Sequence, residues 1–142
     1  MVDALRASGA LTLSLVAVEG DVVVGHIAFS PVVVEAGDRV IEGLGLAPMA
    51  VAPGHQRRGI GGRLIAAGLD RLRADGHPFC VVLGHPAYYP RHGFVAARAY
   101  GLRWERGHDQ AFFALALGAG GLAGVAGVVR YRPEFDAVSA ER

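Results

Sequence analysis

The chain has 142 residues, 52% of them hydrophobic, and a formal net charge of +1. That size and composition suit one folded domain and exclude an intrinsically disordered chain. The near-neutral charge argues against a nucleic-acid or membrane-surface binder, and the single cysteine, Cys80, excludes an internal disulfide framework.

In chain order, Val2 to Ala10 is a short helical candidate without the basic-then-apolar order of a signal peptide, so a cytoplasmic protein is expected. Leu11 to Glu19 reads as a strand, Gly20-Asp21 as a turn and Val22 to Ser30 as a second strand. Together they predict a hairpin with Gly25 at a bulge. Pro31 to Glu42 continues as a third strand or a loop, and Leu44 to Val51 as a further strand. Apolar residues then recur at Ile60, Leu64, Ile65, Leu69 and Leu72, the face of a core-packed helix. Asp75-Gly76 followed by His77-Pro78 is a stop signal. Phe79 to Leu83 fits a short buried strand, and Val95 to Ala99 and Gln110 to Leu117 fit closing strands. Val128 to Tyr131 is a further short strand or a packed tail. Ala111 to Val129 is uncharged and long enough to span a bilayer, but its glycines and alanines contribute little to insertion. A buried strand followed by a close-packed loop is the expected reading, with no membrane span.

The most informative stretch is the entry to the helix, Val51-Ala-Pro-Gly-His-Gln-Arg-Arg-Gly-Ile-Gly-Gly62. Helix starts favour acidic residues, because their exposed N–H groups carry partial positive charge. This one brings Arg57 and Arg58 and no Ser, Thr or Asp cap beside Gly59. Glycines at 59, 61 and 62 leave room for backbone N–H groups to approach an anion. The segment therefore reads as a phosphate or pyrophosphate cradle. The phosphate-loop pattern fails, since Ile60-Gly61 follows Gly59 where Lys and Ser/Thr are needed. The dinucleotide fingerprint fails here at Leu64, and its literal match at Gly118 to Ala123 lacks the strand–helix–strand context. No Cys, His and carboxylate cluster has metal-site spacing, so no metal is expected.

Gln56-Arg57-Arg58-Gly59-Ile60-Gly61 matches, position for position, the acyl-CoA-binding motif of the GNAT acyltransferases, which this chain resembles. Met49 to Pro53 is similar to that family's preceding strand and turn, and Tyr89 to Phe94 to its Tyr-x-x-x-Gly-Phe signature. The resemblance covers residues 13 to 117 and implies an α/β (α+β) fold: a mixed, mostly antiparallel central sheet with flanking helices. It also implies one domain over residues 1–142, with 118–142 as a C-terminal extension and without the family's usual first strand and helix. An edge strand so exposed would favour a homodimer.

The resemblance implies transfer of an acetyl group from acetyl-CoA, as co-substrate, to a primary amine of a small molecule or protein. A non-catalytic acyl-CoA-binding or sensing module is the alternative. Met49, Ala50 and Val51 would offer a strand edge to the pantetheine amides. Gln56, Arg57, Arg58, Gly59, Ile60, Gly61 and Gly62 would hold the pyrophosphate. Tyr89, four residues before Gly93, would give the departing thiolate its proton. Tyr88, its neighbour, would point elsewhere. Glu42 is the carboxylate closest upstream of the donor strand and the candidate base, with His85 or a water chain as alternatives. Relatives often carry an apolar residue where this chain has His92, so no role is carried over there.

Overall fold

The computed structural model describes residues 11–107 and 109–131. The helix expected over Val2 to Ala10 lies outside the described residues. Eight strands build one sheet: β1 (Leu13–Glu19), β2 (Val22–Ala36), β3 (Arg39–Val51), β4 (Phe79–Leu83), β5 (Val95–Ala96), β6 (Leu102–Trp104), β7 (Phe112–Ala116) and β8 (Gly127–Arg130). One α-helix of more than a turn is described, α1 (Ile60–Ala74). The sheet order is β5-β7-β4-β3-β2-β8-β6, with β1 also paired to β2. Only β3–β4 and β6–β8 are parallel. The sheet is thus mixed and mostly antiparallel, as expected.

The hairpin forms where predicted, and its bulge falls at Val24: Ala17 pairs with Gly25, but Val18 pairs with Val23. β2 does not stop at Ser30. It runs on through Pro31 to Ala36, and the turn at Gly37 and Asp38 leads into β3. A long apolar run buried on both faces carries no local stop, which is why the sequence left its end open. One further reading changes, one strand is new and one reading is borne out. Val95 to Ala99 is a strand only to Ala96 and then a 3-10 turn. β6 arises from a segment with no periodic signal of its own. Val128 to Tyr131 becomes β8, seated beside both β2 and β6, so this part of the tail belongs to the sheet. None of the described helices is long and apolar enough to cross a membrane.

α1 buries Ile60, Leu64, Ile65, Leu69 and Leu72, the stripe read from the sequence. These pack with Ile27, Phe29, Leu44 and Leu46 of the sheet, while Val32, Val34, Phe79, Val81 and Phe112 lie in a second core. The helix ends as its sequence implies. Gly76 takes φ +84°, His77 N–H donates to the Leu72 carbonyl, and Arg71 and Arg73 sit in the last turn, where cations suit the dipole. Leu72 is completely buried. Leu72→Ala should therefore cost about 2–5 kcal/mol, read as a lower urea midpoint at unchanged slope.

The topology positions one open region. β3 pairs with β4 only at Leu44–Cys80 and Gly45–Val81. Beyond Gly45 it carries an extra residue relative to β2, since Ile27 pairs with Met49 but Phe29 pairs with Leu46. Such a bulge bends a strand. From there to Val51, β3 is paired with β2 on one side, and no described strand lies on its other side. β3 and β4 therefore part like a fork.

Candidate active site

A cavity of about 870 Å³ opens beside the free edge of β3. Its walls are Met49, Ala50 and Val51 of that edge and the helix-entry residues Gln56, Arg57, Gly59, Ile60, Gly61 and Gly62. His55, Tyr88, Arg91 and His92 complete them.

The helix entry is open and uncapped. Gly59 is the N-cap residue at φ +79°, a left-handed conformation that glycine adopts without strain, and Arg57 before it lies at φ +67°. No side chain caps the helix, and the first turn holds no acidic residue. The first intrahelical bond is Arg63 N–H to the Gly59 carbonyl, 3.0 Å. The N–H groups of Ile60, Gly61 and Gly62 therefore have no carbonyl within the helix to bond. Gln56 Nε2 donates to the Val51 carbonyl at 3.2 Å and ties the turn to the strand.

Close approach fixes the glycines. A Cβ on Gly61 would lie 2.7 Å from the Tyr88 hydroxyl, and one on Gly62 would lie 3.2 Å from His92 Cε1. Tyr88 and His92 are one helical turn apart, and their rings meet edge-on at 4.9 Å. The Arg91 guanidinium lies over the Tyr88 ring, 5.6 Å from its centre. Burial pushes the Tyr88 hydroxyl above its ordinary value, against the pull of Arg91. Burial, then Arg91, hold the His92 imidazole below the usual histidine value, so it is neutral at pH 7.

Four sequence-named residues, Arg58, Glu42, Tyr89 and His85, do not line this cavity. Arg58 turns away, and its guanidinium meets Glu19 Oε2 at 3.3 Å, the same oxygen that faces His55 Nε2 at 3.2 Å. An acidic partner 39 positions upstream therefore accommodates one of the two arginines. Glu42 is exposed on β3, on the far side of the bulge from Met49. The length of an extended strand separates it from the open edge, so nearness in sequence gives it no place in the cavity wall.

Tyr89 is 8% exposed and belongs to the core on which α1 packs. Its ring covers Gly84, the residue after β4, so closely that a Cβ there would be 2.0 Å from Cε2. It meets Phe94 edge-on at 5.8 Å. This puts it against the diverging end of β4. Burial raises its hydroxyl above the ordinary tyrosine value, with Tyr88 and Cys80 adding to the shift. Tyr88 points elsewhere than Tyr89, as expected: its hydroxyl lies at the helix start and it forms part of the cavity wall. Reading residues 88–92 as a helical turn would have put Tyr88, Arg91 and His92 on one side, and that spacing was the available signal. His85 is exposed, and its Nδ1 accepts the Ala87 N–H at 3.1 Å.

Comparison with known proteins agrees with this geometry. The family description "Acetyltransferase (GNAT) domain" matches residues 6–97. The chain is 40% identical over 139 residues to a protein of Escherichia coli K12 named uncharacterized N-acetyltransferase YhbS, covering 96% of this chain and 81% of that one. Its fold is similar to the crystal structure of Escherichia coli YhbS in complex with CoA, with a TM-score of 0.87 and 36% identity over 95% of this chain and 75% of that one. It is also similar to a GNAT-family acetyltransferase from Brucella melitensis in complex with acetyl-CoA, with a TM-score of 0.76 and 45% identity over the same shares.

Proposed function

The chain belongs to the GNAT acetyltransferase family, and on that premise we propose that it transfers the acetyl group of acetyl-CoA to a primary amine of a small molecule or a protein. One observation carries the reading: a helix start with unbonded N–H groups shares a cavity with an unpaired strand edge. The residues present fit such a ligand. The amide-bearing arm of the co-substrate can pair with Met49 to Val51 as an added strand would. The N–H groups of Ile60, Gly61 and Gly62 can hold the diphosphate, with Arg57 and Arg91 beside it. CoA in one of the relatives named above and acetyl-CoA in the other support the choice of this ligand.

A thioester is already activated, so alignment of amine and carbonyl supplies much of the rate. A backbone N–H of β3 polarises the carbonyl as the amine nitrogen attacks. The new C–N bond forms, the C–S bond breaks, and Tyr89 at the fork gives its proton to the thiolate. Its raised pKa keeps that proton in place at neutral pH. Glu42 lies across the β3 bulge from the open edge, so water takes the proton released by the amine and returns one to Tyr89.

A thiol-release assay over a panel of amines tests this. Free thiol from acetyl-CoA should appear only when an accepted amine is present. Stabilisation by CoA with no release on any amine would favour a binding module. No response to CoA at all would overturn the assignment.

A further inference from the structure

His92 is the cavity-wall imidazole to which the mechanism above gives no task. Its ring reaches the helix entry, with Cε1 placed where a Cβ on Gly62 would be only 3.2 Å away. The edge of Tyr88 holds it there, 4.9 Å between ring centres. Its Nε2 is shut off from solvent and has no hydrogen-bond partner among the described residues. A polar atom left so is costly unless a ligand completes it. His92 therefore combines a fixed ring, an unmade hydrogen bond and a place in the wall of the cavity onto which the helix start opens.

We propose that His92 is a proton-linked ligand of the coenzyme's diphosphate: it takes up one proton from solvent as the diphosphate settles on the helix start, and binding tightens as the pH falls. This rests on the acetyl-CoA reading above. Among the described residues, none around the ring favours its charged form. Arg91 stands beside it, Tyr88 faces it with an un-ionised hydroxyl, and Arg57 and His55 share the cavity. On the side of α1, Arg73 and Asp70 share a groove with His92, but they pair with each other at 3.4 Å. An arriving diphosphate supplies the negative charge that reverses this balance, because an opposite charge nearby favours the protonated imidazole. The sign follows. The bound form has the higher pKa, so affinity is greatest below the free value and is lost as pH rises through the bound value. Each unit by which the ligand raises that pKa is about tenfold in affinity.

The test is titration calorimetry of the full chain in two buffers of contrasting ionisation enthalpy. 3′-Dephospho-CoA is the probe, because it keeps the diphosphate but lacks the phosphomonoester that would itself titrate. The expected result is fractional proton uptake near neutral pH, with affinity falling about tenfold or more from pH 6 to pH 8. His92→Gln and His92→Phe, which fill the same space against Tyr88, should bind with no uptake and no pH dependence. His55→Gln should keep the uptake. Binding without uptake in the parent chain, or uptake unchanged in both His92 variants, would overturn the role of His92 and leave the coenzyme reading intact. No binding at any pH would overturn both.

Discussion

Tyr89→Phe should lower kcat by about 10²-fold or more while leaving the KM for acetyl-CoA nearly unchanged. The tyrosine lies at the fork, against Gly84, and the mechanism asks it for a proton only as the C–S bond breaks. An interaction made only in the transition state appears in kcat and not in binding. A 10²-fold loss corresponds to about 2.7 kcal/mol. The ring keeps its packing against Phe94, so folding should be preserved. The pH profile gives a second check. The Tyr89 pKa lies above its ordinary value, so the proton is held across the neutral range, and kcat attributable to it falls only as pH rises through that raised value. Tyr88→Phe is the informative comparison, because its hydroxyl sits at the helix start and not at the fork. Steady-state kinetics on an accepted amine decide the matter. A Tyr89→Phe enzyme that turns over at the parent rate removes this residue from the mechanism.

Gly61→Val should weaken CoA binding by about 100-fold, with the fold intact. The added Cβ would lie 2.7 Å from the Tyr88 hydroxyl, and the branched methyls would stand over the N–H groups of the first turn. Hydrogen bonds from such groups to a charged acceptor contribute about 1.5–3 kcal/mol each, so losing one or two accounts for the magnitude. Arg58→Glu is the useful contrast. Its side chain is 56% exposed, pairs with Glu19 and lies outside the cavity wall, so it should contribute little to stability or to holding the diphosphate. Equilibrium binding of CoA to each variant tests the pair. Parent affinity in Gly61→Val would mean that the diphosphate is held elsewhere.

The sequence alone settled what depends on neighbours along the chain. The stripe from Ile60 to Leu72 defines a helix because residues three and four apart share a face, and the burial of all five confirms the period. Gly76 ends that helix because a left-handed residue closes its last turn. The glycine-rich entry with no acidic cap is legible as an uncapped helix start whose N–H groups still need a partner, which is the ground for the anion site proposed there. The hairpin around Gly20 is legible for a similar local reason.

Only the tertiary structure decided which side chains meet across long separations. Arg58 looks like an anion ligand in sequence, but the end of β1 brings Glu19 to it. Glu42 looks like a base seven residues before Met49, but an extended, bulged strand carries that distance away from the cavity. Tyr88 and His92 close the helix entry because the chain after β4 folds back over Gly61 and Gly62. The fork exists because pairing of β3 with β4 stops where the bulge bends β3 aside. The physical reason is common to all four. Local pattern fixes which groups need a partner, while the partner is chosen by packing between segments that share no local pattern.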